Sequence, residues 1–200
     1  MIVYLIDLNQ ITKDFGSRGK SNALSERILK HILSDELKIA YRNTKIRRDS
    51  YGKPFLVGGK RHFNISYSKH KLIIATDNTP IGVDIEYMKE IDDIDSLAAH
   101  FSPEEKNTIY QLENSEKIKY FYRLWVLKES YIKAVGKGFS CPFNSFCIEM
   151  KETSATLIYT KEKDLNWKFK NYTFPDDYCL AICARNDKFP KDFIHWEAGE

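Results

Sequence analysis

Two short groups of charged residues carry the chemistry that this sequence could perform. Asp84 and Glu86 lie two positions apart in the apolar segment 81–86. Side chains two apart on a β-strand project to the same side, so a strand here would present both carboxylates together, with Val83 and Ile85 facing the other way. The pattern fits part of a cation site, and it also fits a half-exposed strand whose acids are only solvated.

A second group lies on a segment with helical spacing. Lys128, Glu129, Ile132 and Lys133 follow Trp125 by three, four, seven and eight positions, which places all five residues on a shared helix face. Lysines beside apolar residues on a core-facing stripe are unusual and favour a functional surface. The alternative is an amphipathic helix whose Glu129–Lys133 pair is a surface ion pair, worth about 0.3–0.5 kcal/mol.

Together the two groups predict a metal–diphosphate site, provided that the strand and the helix are neighbours. Asp84, Glu86 and Glu129 would repel one another, by about 4 kcal/mol for two charges about 4 Å apart at an effective dielectric constant of about 20. A divalent cation removes this repulsion, and a set of oxygen ligands suits magnesium or manganese. Lys128 and Lys133 would then hold further phosphate oxygens.

Glu105 has two interpretations. In the segment 102–105, Ser102 is a typical helix cap, Pro103 suits the first turn, and Glu105 takes the reciprocal position of a capping box. The pattern alone favours the cap. The other interpretation is a general base close to the metal.

These groups must be positioned by an α+β fold with no obvious linker. Helical periodicity predicts helices over residues 21–37 and 115–135, with Gly136 placed to end the second. Apolar and β-branched runs predict strands at 2–8, 63–66, 72–76, 81–86, 146–150, 156–159, 167–172 and 178–184. The order of strands, helix and strands occurs roughly twice, so we expect an N-terminal half over 1–81 and a C-terminal half over 82–200 that carries the metal site.

Composition excludes several classes of protein. The chain has 200 residues, with 31 basic and 28 acidic side chains, so a general nucleic-acid binder is not expected. The opening apolar run is too short for a signal peptide, and no segment is long enough for a membrane span. The four cysteines, at 141, 147, 179 and 183, match no zinc pattern. We expect them to be reduced in a cytoplasmic protein.

Six motifs occur in a characteristic order. They are Gly52-Lys53-Pro54, Phe63-Asn64-Ile65-Ser66, Ile81-Gly82-Val83-Asp84-Ile85-Glu86, Phe101-Ser102-Pro103-Glu104-Glu105, Trp125-Val126-Leu127-Lys128-Glu129-Ser130-Tyr131-Ile132-Lys133 and Gly136-Lys137-Gly138. Each motif alone is weak, but the set with its separations resembles the 4′-phosphopantetheinyl transferases, specifically the longer type that activates surfactin synthetase and similar assembly lines. The resemblance runs from about residue 51 to 146 and continues more weakly to 190.

The resemblance implies a pseudo-dimer of two similar α/β halves with coenzyme A in the cleft between them. It implies magnesium on the three acids named above and cofactor phosphates on Lys128 and Lys133. Lys53 and Pro54 would line the adenine end, and Ser66 would lie beside the phosphates. Glu105 matches an acid that has been proposed as a base in this family.

Two places depart from the family pattern. Tyr67 stands where the family usually has a phosphate-binding histidine, and a phenol donates one hydrogen bond without carrying positive charge. In the N-terminal third, the best candidates to hold the 3′-phosphate are Arg18, Lys20, Ser21 and Asn22, just before a predicted helix start.

The resemblance implies magnesium-dependent transfer of 4′-phosphopantetheine from coenzyme A to a serine of an apo carrier protein, with release of 3′,5′-ADP. The carrier could be a peptidyl, aryl or acyl carrier protein. Glu129 or Glu105 would accept the serine proton, and Lys133 would assist electrostatically. We expect a monomer with no nucleic-acid or membrane partner. The alternatives are a magnesium-dependent hydrolase of a diphosphate and a non-catalytic protein that binds coenzyme A or a carrier.

Overall fold

The structure is a computed structural model that describes residues 1–15, 22–151 and 154–197. In its described residues, the first half of the chain contains two helices and five strands. In chain order they are β1 (Ile2–Asp7), α1 (Leu8–Phe15), α2 (Asn22–Leu37), β2 (Ile46–Arg48), β3 (Pro54–Leu56), β4 (His62–Ser68) and β5 (Lys71–Asp77).

The part of the second half that the structure describes contains three helices and six strands. In chain order they are β6 (Ile81–Tyr87), α3 (Ile94–Ala98), α4 (Pro103–Gln111), α5 (Asn114–Val135), β7 (Phe146–Met150), β8 (Ala155–Thr160), β9 (Lys168–Thr173), β10 (Tyr178–Ala184) and β11 (Ile194–His195). Among the described helices, none is both long and apolar enough to cross a membrane.

Two mainly antiparallel sheets form the centre of the molecule. The first sheet has the strand order β11-β1-β5-β4, and the second has the order β6-β10-β9. The short β11 pairs in parallel with β1, so the end of the described chain returns to the first half. Residue 81 is the first residue of β6, so it lies between the long strands of the first sheet and those of the second. The division of the chain into two halves at this residue stays a prediction.

The sheets pack against each other and each carries one long helix on its outer face. Apolar residues of β1 and β5 meet those of β6 and β10 in one buried cluster. The opposite face of the first sheet packs on α2, and the opposite face of the second packs on α5. The α+β class predicted from the sequence is therefore confirmed.

A set of polar side chains joins the two sheets along one line, here called the seam. Strand β6 is an edge strand, and β4 runs beside it in the same direction. The seam bonds are Val83 N to Asn64 Oδ1 at 2.8 Å, Ile85 N to Ser66 Oγ at 3.4 Å and Tyr87 N to Ser68 Oγ at 3.0 Å. Side chains of β4 thus accept hydrogen bonds from the backbone amides of the edge strand β6, which a further strand would otherwise accept. Buried amides require such a partner.

Replacing Asn64 with alanine is expected to lower the free energy of unfolding by about 1–3 kcal/mol, because it leaves the buried Val83 amide without an acceptor. Urea denaturation measures the change. The matched control is Asn78→Ala, since Asn78 is exposed and we expect a change within about 0.5 kcal/mol. Equal changes in the two variants would contradict a structural role for the seam.

Candidate active site at the seam

The carboxylate of Asp84 lies at the centre of the candidate site and is only 3% exposed. Its Oδ1 accepts hydrogen bonds from Ser66 Oγ at 2.8 Å and from Lys133 Nζ at 2.6 Å. Lys133 Nζ also donates to Ser66 Oγ at 3.0 Å. Strand β4, strand β6 and helix α5 therefore meet at one carboxylate, and the predicted adjacency of strand and helix is present.

Two further acids belong to this centre. Ser68 Oγ donates to Glu86 Oε2 at 2.9 Å, so the seam holds a second carboxylate of β6. Burial raises the pKa of Glu86, and the neighbouring Asp84 raises it further. The pKa of Glu129 on α5 is likewise raised by burial, then by Asp84, and less strongly by Glu86. Glu86 and Glu129 thus each lie close enough to Asp84 for the charge of Asp84 to raise their pKa values.

One carboxylate oxygen at this centre has no partner in the protein and is the strongest support for a bound cation. Asp84 Oδ2 is buried and has no hydrogen-bond partner among the described residues. Burial also raises the pKa of Asp84, and the Lys133 ammonium opposes this shift. No group of three acidic, histidine or cysteine side chains in the described ranges is arranged to hold a metal ion outright. The Lys133 ammonium on Asp84 supplies the positive charge in this arrangement.

A glycine sets the distance between the strand and the helix. At Gly82, a Cβ atom would lie 2.0 Å from the carbonyl oxygen of Ser130 and 2.4 Å from the amide nitrogen of Ala134. Strand β6 therefore touches the backbone of α5 directly, at the residue that follows Glu129 and one turn of helix further on. This contact brings Asp84 within reach of Lys133.

A cavity of about 560 Å³ opens beside the acids and is lined by both halves of the chain. The first half contributes Tyr51, Gly52, Lys53, Pro54 and Asn64, and the second contributes His100, Glu129, Ile132, Lys133, Gly136, Gly138, Phe139, Cys141, Pro142, Phe143 and Asn144. The walls combine aromatic and aliphatic surface with charged groups near the acids. This composition suits a ligand with an apolar or aromatic part and a phosphorylated part.

Lys53 is part of the cavity wall, but its ammonium is already engaged. Lys53 Nζ donates to the carbonyl oxygens of Lys133 at 2.6 Å and Ala134 at 2.9 Å, in the last turn of α5. A third carbonyl, that of Ile81, lies at 3.4 Å. Burial lowers the pKa of Lys53 to about 8. Its side chain thus ties the β2–β3 hairpin to the C-terminal end of α5, where carbonyls favour a cation.

The structure places Lys128 and Glu105 away from the cavity, in a buried ion pair. Lys128 has no exposed surface and donates to both carboxylate oxygens of Glu105 at 2.7 Å and to the Phe146 carbonyl at 2.9 Å. Glu105 also accepts from the amides of Ser102 at 3.0 Å and Ile148 at 2.8 Å. The capping box predicted from the sequence is confirmed.

These contacts correct two predicted roles. The Lys128 ammonium points into the protein, so it is not positioned for a cofactor phosphate. Glu105 is 3% exposed and both of its oxygens are occupied, so it is not positioned to accept a proton from an incoming serine. The two residues instead fix α4, α5 and β7 relative to one another.

Replacing Lys128 with methionine is expected to destabilise the protein by about 3–5 kcal/mol, because Glu105 would stay buried without its cation. Chemical denaturation measures this change. In the double variant Lys128→Met/Glu105→Gln, at least half of the loss should return, since the amide is neutral and its single oxygen keeps one of the two backbone contacts. If the folded double variant lost transfer activity by more than about 100-fold while its affinity for coenzyme A stayed the same, the correction would be wrong and Glu105 would act as the general base.

Three other residues, Tyr67, Arg18 and Lys20, are predicted from the sequence to contact the cofactor. Tyr67 follows Ser66 on β4, so it projects from the opposite side, where it is 56% exposed and outside the cavity lining. Its predicted contact with cofactor phosphate is therefore not supported. Arg18 and Lys20 lie outside the described residues.

Sequence reasoning missed several residues of the cavity wall. Tyr51 and Phe139 are exposed aromatic residues at its rim, and His100 and Phe143 line it from the loops around α4 and β7. A signal for Phe139 was present in the sequence, because it directly follows the motif 136–138. The other positions depend on loops brought together from distant parts of the chain.

Comparisons with known proteins converge on one family. The profile of the 4′-phosphopantetheinyl transferase superfamily matches residues 80–183. The chain is 34% identical to the 4′-phosphopantetheinyl transferase ffp of Bacillus subtilis, over 88% of this chain and 79% of that protein. It is 32% identical to the 4′-phosphopantetheinyl transferase Sfp of Bacillus subtilis (strain 168), over 84% of this chain and 75% of that protein.

A solved structure also resembles part of the fold. It is a holo-(acyl-carrier-protein) synthase from Bacillus anthracis str. Ames in complex with CoA (3′,5′-ADP). The match covers 53% of this chain and 94% of that chain, with a TM-score of 0.45 and 21% sequence identity.

Proposed function

The chain belongs to the 4′-phosphopantetheinyl transferase superfamily, and from this premise we propose that it transfers 4′-phosphopantetheine from coenzyme A to a serine of an apo carrier protein. The observation that carries the proposal is the ion pair of Asp84 and Lys133 at a cavity whose wall, built from both halves, contains Lys133 and Glu129. Glu86 lies close enough to Asp84 for the charge of Asp84 to raise its pKa. A nucleotide diphosphate substrate needs acids that hold a cation, a lysine that contacts phosphate and an apolar surface for its base, and the site offers all three.

Asp84, Glu86 and Glu129 would hold a magnesium ion, with manganese as a possible substitute. The unpartnered Oδ2 of Asp84 and the raised pKa values of the other two acids support this assignment. Such an ion, when bound, neutralises charge on the diphosphate and on the departing 3′,5′-ADP.

The remaining steps fall to the protein's own side chains. The serine hydroxyl of the carrier attacks the phosphorus atom that bears the pantetheine arm, and the bond from this phosphorus to the bridging oxygen breaks, so 3′,5′-ADP leaves with that oxygen. Glu129, directly or through a water molecule, accepts the serine proton. Lys133 turns from Asp84 towards the diphosphate and offsets its charge.

The substrate is expected to enter through the cavity. Lys53 and Pro54 form part of the wall, and Ser66 holds Lys133 and Asp84 in register below it. Both halves of the cavity come from one chain, which supports a monomer as the active form. The four cysteines are free and buried, which supports the cytoplasmic location that we propose.

Intact mass spectrometry of an apo carrier protein tests this proposal. The carrier is incubated with the protein, coenzyme A and magnesium, and we expect a mass gain of one phosphopantetheine arm that a chelator abolishes. Peptidyl, aryl and acyl carriers are tested in parallel. Turnover that survives full chelation would overturn the metal assignment, and coenzyme A binding without any modified carrier would favour a binding protein. Release of phosphopantetheine without a carrier would favour a hydrolase.

A further inference from the structure

Positive charge is concentrated around the hairpin formed by β2 and β3. Residues 42–60 contain six basic side chains and one acidic side chain, a net charge of +5, whereas the whole chain of 200 residues has a net charge of +3. The loop of this hairpin lines the cavity through Tyr51, Gly52 and Lys53, and so does Pro54 at the start of β3. The most basic part of the chain therefore lies beside the opening of the cavity.

The hairpin has one side on the core and one side in solvent, because side chains alternate along its strands. Ile46 pairs with Leu56, and both pack in the apolar cluster of the first half. The next pair, Arg47 with Phe55, lies on the other side and is exposed. Lys45 is two positions before Arg47, so it shares that side, and it is exposed as well. The solvent side of the hairpin thus carries two cations.

The charges of this hairpin are not neutralised within the described part of the protein. No carboxylate there forms an ion pair with Lys45, Arg47 or Arg48. Arg48 Nη1 donates to the carbonyl of Gly52 at 2.9 Å, which fixes a third cation at the cavity rim. The one acid of the hairpin, Asp49, uses Oδ1 to accept hydrogen bonds from two amides of the loop. Three cations therefore stand against one carboxylate.

Inside the cavity, by contrast, the lysines already have partners. The ammonium of Lys53 donates to backbone carbonyls of α5, and that of Lys133 donates to Asp84. The acids Asp84, Glu86 and Glu129 act against an approaching anion until a cation neutralises them. Attraction of an anionic substrate from a distance therefore has to come from charges outside the cavity.

We propose that Lys45 and Arg47 steer coenzyme A towards the cavity through their electrostatic field, without contacting it once it is bound. The inference rests on the proposed function, because coenzyme A carries a diphosphate and a 3′-phosphate, and the latter alone has a charge of about −1.5 to −2. Charge of opposite sign beside a cleft raises association rates by about 10- to 10³-fold. Arg47 and Lys45 lie one and three residues before Arg48, about 3 and 10 Å along a strand, which is close to a Debye length of about 8–10 Å.

The variant Arg47→Glu tests the proposal by stopped-flow fluorescence, with coenzyme A labelled at its thiol by an uncharged fluorophore. We expect the association rate constant to fall about fivefold at an ionic strength of about 20 mM and by less than about 1.5-fold at about 500 mM, because salt screens the field. The double variant Lys45→Glu/Arg47→Glu should lower it about 20-fold at the lower ionic strength. The dissociation rate constant and kcat should change less than about twofold, since charges at a rim act mainly on association.

The matched control is Lys119→Glu, which makes the same change of charge at an exposed position of α5. Lys119 is ten residues before Glu129, about 15 Å along the helix axis, so its association rate constant should stay within about 1.5-fold of wild type. Labelled dephospho-coenzyme A lacks the 3′-phosphate, so its association should fall only about twofold in Arg47→Glu. Melting temperatures should match wild type because both side chains are exposed, and Arg47→Gln provides a milder variant with half the change of charge.

The outcomes separate this inference from the proposed function. An unchanged association rate constant in Arg47→Glu at low ionic strength overturns the inference. Faster dissociation, or a slower association that persists at high ionic strength, also overturns it and indicates direct contact with the ligand. An equal decrease in Lys119→Glu, or failure of the wild-type protein to bind labelled coenzyme A, overturns it as well. If association depends on Arg47 but no carrier is modified, the inference stands and the transfer reaction fails.

Discussion

Replacing Asp84 with asparagine is expected to slow phosphopantetheine transfer by about 10³-fold while leaving the protein folded. The amide has nearly the shape of the carboxylate, so it keeps an oxygen for the bond from Ser66. It removes the charge that holds Lys133 and the oxygen that would bind a cation. The rate is measured as the appearance of modified carrier by intact mass, at saturating coenzyme A and magnesium.

The control for this variant is Asp77→Asn. Asp77, at the end of β5, is also a buried aspartate, but it accepts hydrogen bonds from Asn78, Thr79 and Asn186, which lie outside the cavity lining. Its replacement should cost stability and leave the rate of the folded protein within about threefold. Transfer at the wild-type rate in Asp84→Asn would exclude this carboxylate from the reaction.

Replacing Gly82 with alanine is expected to prevent formation of the folded protein or to destabilise it by more than about 3 kcal/mol. The added methyl group would overlap backbone atoms of α5, and backbone cannot rotate out of the way as a side chain can. The strand and helix would have to separate, which also moves Glu129 and Lys133 away from Asp84. Soluble yield and the midpoint of thermal unfolding measure the effect.

Gly58→Ala separates this steric effect from the general cost of losing a glycine. Gly58 has a φ of +69°, and a Cβ atom there would have nothing within 4 Å. Its replacement carries only the backbone penalty of the left-handed region, about 1–2 kcal/mol. Equal losses of stability in the two variants would show that the close approach of β6 and α5 is not the reason why position 82 requires glycine.

The sequence predicted most of the regular structure because its signals there are local. The proline and the paired Ser102 and Glu105 predicted the start of α4, and a capping box is present. Gly136 predicted the end of α5, where it adopts a φ of 84°. Strand alternation predicted that Asp84 and Glu86 would share a side. Short elements such as α1, β2 and β3 contain too few residues to show a clear period of apolar side chains, so the sequence did not predict them.

The roles predicted for Lys128 and Tyr67 were wrong because they depend on the direction in which each side chain points, which the spacing of residues along the chain does not give. At about 100° per residue, Lys128 and Lys133 lie about 140° apart around the helix axis, too far to share one narrow face. Lys128 therefore turns inward to Glu105 while Lys133 reaches Asp84. In the same way, strand alternation placed Tyr67 opposite Ser66. The bond of Lys53 to α5 joins residues 80 positions apart and leaves no local signal.

The seam also fixes the shape of the gap between the two halves. Strands paired through their backbones keep a spacing of about 4.8 Å, whereas strands joined by side chains keep a spacing that depends on side-chain length. Asn64, whose side chain reaches one bond further than serine, lines the cavity, and Ser66 and Ser68 hold the acids. Three side chains thus set the separation of β4 and β6, so we expect a change of side-chain length at any one of them to alter the gap between the two sheets.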